Sequence, residues 1–177
     1  MSHKLELKCR LARWLAYGFT VCVLSGCMAI KLVGDYDEQI DKGTTALQKE
    51  VETFLVKLET SAPKPEDKVE TYDKHKEFYG DTKIAISGLR LRADATERNS
   101  LTVRMFDGLS NNISRLEKAD REGIKKVEIT ESFRGGFTSQ FTAILSFELA
   151  KKRGEKPDES KAEKVVTPPK TETGEKR

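Results

Sequence analysis

Apolar side chains recur at intervals of three and four residues through most of this chain, and that spacing limits the possible folds more than any other feature. An α-helix has about 3.6 residues per turn, so residues spaced in this way share one face. Four segments carry such a stripe, which predicts a mostly α fold, an antiparallel bundle of about four helices. The stripe of the second segment consists of Val69, Tyr72, His75, Tyr79, Thr82, Ile86, Leu89 and Ala93.

Capping residues and breaks indicate where the predicted helices begin and end. Pro65 suits the first turn of the second helix, Thr130 suits the cap of the fourth, and Gly154 suits its end. Residues 124–129 allow either a strand or a helix, because their apolar residues alternate. The predicted helices extend over about 35–60, 65–95, 100–123 and 130–154.

The end of the chain differs in composition from the rest. Residues 151–177 include nine basic and six acidic residues, and their only large apolar side chains are Val165 and Val166. Such a stretch buries too little apolar surface to offset the entropy lost on ordering. We therefore predict a helical bundle domain at 35–153 and a disordered charged C-terminal tail at 154–177.

The first 27 residues have the organisation of an export signal. Four basic residues precede an uncharged run over 14–23, which is too short to span a membrane and suits a signal peptide. The run ends in Leu24, Ser25, Gly26 and Cys27. This ending resembles the lipobox of bacterial lipoproteins, in which a branched residue and two small residues precede a cysteine that receives lipid.

The resemblance implies cleavage between Gly26 and Cys27 and lipidation of Cys27 with diacylglycerol and palmitate. Residues 1–26 are then a lipoprotein signal peptide, and 27–34 form a short tether. An uncleaved anchor over 14–30 is the alternative, and both interpretations place the remainder of the chain outside the cytoplasm.

Two further features refine this resemblance. In enterobacterial lipoproteins an aspartate after the lipidated cysteine signals retention at the inner membrane, and Met28 stands at that position here. The resemblance therefore favours the outer membrane of a Gram-negative cell, with the protein facing the periplasm. The acidic first helix and the closing helix over 141–154 also resemble small helical lipoproteins of such bacteria, which implies no catalytic residues.

Removal of the signal changes the number of cysteines and the net charge, and both bear on function. Cys9 and Cys22 leave with it and Cys27 carries lipid, so the mature chain has neither a disulfide nor a thiol for a metal. The chain has a net charge of +3, and the signal removes four basic residues and one acidic residue, which leaves a neutral mature chain. We therefore expect no nucleic-acid binding, no metal and no cofactor.

One histidine, His75, remains in the mature chain, so triad or acid–base catalysis would depend on it. It lies on the apolar stripe of the second helix, where a core histidine held by one hydrogen bond is the favoured interpretation. An enzyme is our third hypothesis, and it predicts polar residues converging on His75 in a cleft. We do not expect the protein to be an enzyme.

The predicted fourth helix carries the strongest apolar feature of the domain, a side chain at every fourth position. Core packing explains these residues, and the alternative is a hydrophobic groove for an acyl chain or a partner helix, with a cavity of about 300 Å³ or more. The four residues are Phe133, Phe137, Phe141 and Leu145.

We expect a lipid-anchored envelope lipoprotein with a structural or protein-interaction role at the membrane surface. Its partners would be the membrane, through the N-terminal lipid, and another envelope protein. This hypothesis predicts a contiguous apolar patch on the folded surface. The alternative function is to bind or carry a lipid or another hydrophobic ligand in a helical groove. The oligomeric state stays open.

Overall fold

The computed structural model describes residues 33–69 and 71–166, and these ranges are mostly helical. Its α-helices of eight or more residues are α1 Glu38–Ser61, α2 Lys76–Asp94, α3 Ser100–Glu122, α4 Gly135–Arg153 and α5 Glu159–Val166. α1 and α3 each pack against both α2 and α4, and the short α5 lies on α3 and α4. The predicted mostly α bundle of about four helices is therefore confirmed. Among the described helices, none combines the length and apolar character that crossing a membrane requires.

Each long helix contributes one apolar stripe to the core. The stripes predicted for α1 and α3 are buried along their whole length, and truncating one such side chain to alanine typically costs about 2–5 kcal/mol. These two helices bury Ile40, Leu47, Val51, Phe54, Leu55, Leu58, Leu101, Met105, Leu109, Ile113 and Leu116.

The beginning of α1 is fixed by Asp37. Its carboxylate accepts hydrogen bonds from the backbone N–H of Gln39 at 2.8 Å and from Arg92 Nε at 2.5 Å. Burial raises the pKa of Asp37, but the hydrogen bonds from Arg92 and from the helix N–H groups outweigh it and lower that pKa below its ordinary value. Asp37 thus caps α1 and ties it to the end of α2.

The ends of α3 and α4 agree with the sequence. Gly123 has a φ of 85° and Gly154 a φ of 68°, in the left-handed region where a glycine commonly ends a helix. Both glycines donate their N–H to a carbonyl of the last turn.

The prediction that the second helix begins at Pro65 is wrong. Residues 65–69 instead pair with 124–127: the Val69 N–H donates to the Ile124 carbonyl at 3.1 Å, and the Val127 N–H donates to the Pro65 carbonyl at 2.9 Å. A 3₁₀ turn over Tyr72–Lys74 then leads into α2. Pairing with a distant segment overrides the local helical pattern here. Of the ambiguous residues 124–129, Lys125 forms an isolated β-bridge with Lys68, and the chain is helical from Lys126 onward.

Thr130 does not cap the fourth helix. A turn over Lys126–Glu128 and a π-helix over Ile129–Arg134 run directly into α4. The Thr130 hydroxyl donates to the Lys126 carbonyl at 3.3 Å, as a residue inside a helix does. The helix therefore begins earlier than its apolar stripe indicates.

The prediction of a disordered tail is wrong for residues 159–166, which form α5. Ala162 is buried, and Arg104 of α3 binds Glu163 at 3.0 Å. Gly108 permits the close approach, because a Cβ there would lie 3.2 Å from the Val165 carbonyl oxygen. The average composition of the tail concealed this short amphipathic segment. Residues 167–177 lie outside the described residues.

Candidate functional site

The aromatic stripe of α4 belongs mostly to the core. Phe137 and Phe141 are buried, whereas Phe133 and Leu145 are half-buried. A cavity of about 210 Å³ lies beside Phe137 and Phe141, between α1 and α4. Ligand pockets generally have volumes of about 300 Å³ or more. The cavity beside the stripe is smaller than the one that the sequence predicts for a ligand groove, and the groove stays a prediction.

A larger groove, of about 640 Å³, lies between α4 and α5. We call it the α4–α5 groove. Ala143, Phe147 and Ala150 contribute apolar atoms to its lining, and the hydroxyls of α4 contribute polar ones. Its formation depends on α5, which the sequence did not predict. The charged residues around it are Arg153, Glu155, Lys156, Asp158, Lys161 and Lys164.

His75 lies in a buried polar cluster between α2 and α3. Its Nδ1 is 2.9 Å from Asp120 Oδ2, and the Tyr79 hydroxyl donates to the same oxygen at 3.0 Å. Burial, reinforced by Asp120, raises the pKa of Tyr79. Polar groups do converge on His75, as an enzyme would require, but the residue is only 1% exposed and is not in a cleft. The cluster joins the two helices.

A second buried polar cluster joins α3 to α4. Lys151 Nζ donates to Asn99 Oδ1 at 2.6 Å, to Glu148 Oε1 at 2.7 Å and to Thr102 Oγ1 at 3.2 Å. Burial raises the pKa of Glu148, and the neighbouring Lys151 opposes that effect. This cluster was not predicted from the sequence, although Glu148 and Lys151 stand three residues apart on the apolar face of α4 and so carried a signal.

The border between α2 and α3 is charged. Glu117 binds Lys83, and it accepts hydrogen bonds from Arg121 at 2.7 Å and from the Tyr72 hydroxyl at 2.9 Å. Burial raises the pKa of Glu117, but these three donors outweigh burial and lower it to about 2. The carboxylate therefore stays ionised through the ordinary pH range and holds α2 on α3.

The face of α2 that points away from the core also carries apolar side chains. Ile84 is 72% exposed and Leu91, one heptad further along, is 62% exposed. A Cβ added at Gly80 or Gly88 would meet no atom within 4 Å. We call Gly80, Ile84, Ser87, Gly88 and Leu91 the outer stripe. The interaction hypothesis predicts exposed apolar surface, and on α2 this stripe supplies two such side chains.

Charged pairs border the outer stripe on both sides. Lys83 and Arg90 bind carboxylates of α3, and Arg92 binds Asp37 at the start of α1. These pairs hold α2 by its flanks and leave the stripe facing outward. The signal for this face in the sequence was a second apolar pair, Ile84 and Leu91, displaced from the heptad seam.

The predicted cleavage site, Gly26 and Cys27, lies outside the described residues. Within the described ranges, no group of three or more His, Cys, Asp and Glu side chains is placed to hold a metal ion. Comparison with known proteins finds no matching protein family, no similar curated protein and no similar solved structure.

Proposed function

We propose that this protein is a lipid-anchored lipoprotein of the cell envelope that works without catalysis, by presenting the outer stripe of α2 to a protein partner at the membrane surface. The observation that carries the proposal is the exposure of Ile84 and Leu91, at 72% and 62%, on a helix whose opposite face already fills the core. Contiguous exposed apolar surface marks interaction sites, and in this proposal Ile84 and Leu91 form the centre of such a surface.

The anchor in this proposal is Cys27, which supplies the membrane attachment. Gly34 already belongs to the bundle, because its N–H donates to the Arg98 carbonyl at 2.9 Å. Seven residues extend at most about 25 Å, so the bundle stays close to the bilayer. Confinement to that surface raises its effective concentration toward partners on the same membrane. Met28 favours the outer membrane, with the bundle in the periplasm.

Metabolic labelling with a palmitate analogue, followed by cell fractionation, tests the anchor. We expect the full chain to be labelled and to sediment with outer membranes. A Cys27→Ala variant should lose the label, with Cys22→Ala as the matched control that keeps it. Labelling that persists in Cys27→Ala would overturn the proposed anchor.

Chemical crosslinking in whole cells tests the interaction role. We expect an Ile84→Lys variant to lose its crosslinked partner, because a charge would enter the apolar contact. Val56→Lys is the matched control, since Val56 is an exposed apolar residue on α1, at 45%. Equal partner recovery by both variants would remove the outer stripe from the proposal.

The α4–α5 groove supports a second candidate function, binding of an anionic amphiphile such as a fatty acid. Its volume of about 640 Å³ lies within the range of ligand pockets, and Lys161 and Lys164 at its edge suit a carboxylate. A dansylated fatty acid titrated into the purified full chain should bind to the wild type and should bind weakly to Ala150→Trp, which fills the groove. Ser87→Trp on α2 is the control, and equal binding by both variants would argue against this function.

A further inference from the structure

We propose that the outer stripe binds the same stripe of a second copy of this chain, with the two α2 helices antiparallel about a twofold axis near Ser87 and Gly88. This inference rests on the proposed function, because it names the partner of the same surface. Four observations carry it: two glycines, one apolar pair, one charged edge and one acidic residue.

Gly80 and Gly88 have no role inside the monomer that the structure explains. Each lies within α2, where glycine costs about 1 kcal/mol relative to alanine, and a Cβ at either position would meet open space. Glycines on a helix face allow a second helix to approach closely, because interaxial distance depends on the side chains at the contact. An approaching helix therefore explains two glycines that the monomer does not need.

Ile84 and Leu91 have the spacing that self-pairing requires. At about 100° per residue, residues seven apart return to nearly the same line along a helix. A twofold axis that is perpendicular to two antiparallel helices and lies midway between these residues places Ile84 of each copy beside Leu91 of the other copy. The result is one continuous apolar contact, and both copies contribute the same surface to it, as a twofold interface demands.

The charges along one edge of the stripe complement a reversed copy. The angular spacing of the helix places Asp81 on one edge with Arg92, and Lys83, Arg90 and Asp94 on the other edge. A twofold axis perpendicular to the two antiparallel helices keeps each edge against the same edge of the second copy. Asp81 then comes within about one turn of Arg92 of the second copy. On the other edge Lys83 comes equally close to Asp94 and to Arg90 of the second copy, so that edge adds no net attraction.

Arg92 remains accessible for this purpose. Its side chain is 50% exposed although it already binds Asp37. Asp81 of the second copy would extend that pair, as in a charge network.

Glu77 decides between the two possible directions of the second helix. It lies on the line of the stripe one turn before Gly80, and it carries a negative charge. In a parallel pair the two Glu77 side chains would face each other across the contact, which is unfavourable. In the antiparallel pair Glu77 lies beyond the C-terminal end of α2 of the second copy, so the two Glu77 side chains are far apart and the repulsion is absent.

Photo-crosslinking in cells tests this inference on the anchored full chain. Two epitope-tagged versions are co-expressed, each with a benzophenone amino acid at position 87. We expect a product of twice the monomer mass that carries both tags. The same amino acid at Lys118, on the exposed surface of α3, should give no such product.

Substitutions on the outer stripe and on α1 show whether the crosslink depends on self-pairing or only on a folded protein. Ile84→Lys should reduce the yield of the double-tagged product at least tenfold, and Val56→Lys should leave it unchanged. Gly88→Ala should also reduce the yield, although alanine favours the helix of the monomer. With the photoreactive group moved to position 84, we expect the adduct to map near residue 91 of the second copy.

The outcomes distinguish this inference from the proposed function. A crosslink from position 87 to a different protein would overturn self-pairing and leave the interaction role standing. An adduct from position 84 to residue 84 would overturn the antiparallel arrangement. No crosslink from position 87 in the anchored chain would overturn both the self-pairing and the interaction role of this face.

Discussion

The inner and outer faces of α2 carry similar side chains but meet very different surroundings. On the inner face, Tyr79 and Ile86 are buried against the core, whereas on the outer face Ile84 and Leu91 are exposed. A helix on the surface of a bundle normally needs only one apolar stripe. The second stripe exceeds what the fold requires, and the proposed contact with a partner would account for it.

The largest difference between the two faces should appear in the free energy of unfolding. We expect Ile86→Ala to destabilise the purified protein by about 2–5 kcal/mol, because it leaves a cavity in the core. Ile84→Ala should change the stability by about 0.5 kcal/mol or less, since the side chain is exposed. Urea unfolding followed by circular dichroism measures both, and equal losses would show that the outer stripe is part of the core.

The stabilising effect of the charged border between α2 and α3 should decrease in acid. Because the folded pKa of Glu117 is about 2 and its ordinary pKa is 4.5, its stabilising effect is fully present above pH 4.5 and is lost as the pH falls toward 2. We expect a loss on the order of 2–3 kcal/mol over that window. Glu117→Gln should flatten the pH dependence of urea unfolding, and the exposed Glu50→Gln should not. Identical pH profiles for the wild type and Glu117→Gln would contradict the role of Glu117.

The smallest expected effect concerns the glycines. Gly88→Ala should stabilise the isolated protein by up to about 1 kcal/mol, because its Cβ enters open space and alanine favours the helix. Gly34→Ala should destabilise it, because that Cβ would lie 2.7 Å from the Glu97 carbonyl oxygen. Differential scanning calorimetry of a dilute sample measures both, and destabilisation by Gly88→Ala would indicate a contact within the monomer.

The sequence predicted most of the fold because α1 and α3 carry regular stripes and because Gly123 marks a clear end of α3. It failed at Pro65, where pairing with residues 124–127 replaces a helix. It failed again at α5, whose burial depends on Gly108 of a distant helix. Both errors have the same physical origin, namely contacts between segments far apart in the chain, which no local pattern contains.

The candidate site was less predictable than the fold. Aromatic residues at helical spacing predict either a core or a groove, and both Phe137 and Phe141 are buried in the core. Ile84 and Leu91 were passed over, because a single heptad seam already explained α2. Which of two apolar stripes faces solvent depends on the positions of the neighbouring helices, and the sequence of α2 alone does not contain that information.

Thiol labelling in cells tests most directly whether the outer face of α2 is covered by a partner. Cys9 and Cys22 leave with the proposed signal and Cys27 carries lipid, so a cysteine introduced at position 91 or 56 is the reactive thiol. We expect Leu91→Cys to be protected from a maleimide in cells and Val56→Cys to be labelled, and we expect Ile84→Lys to abolish the protection at 91. Equal, rapid labelling at both positions in the anchored protein would contradict the proposal that the outer stripe binds a partner.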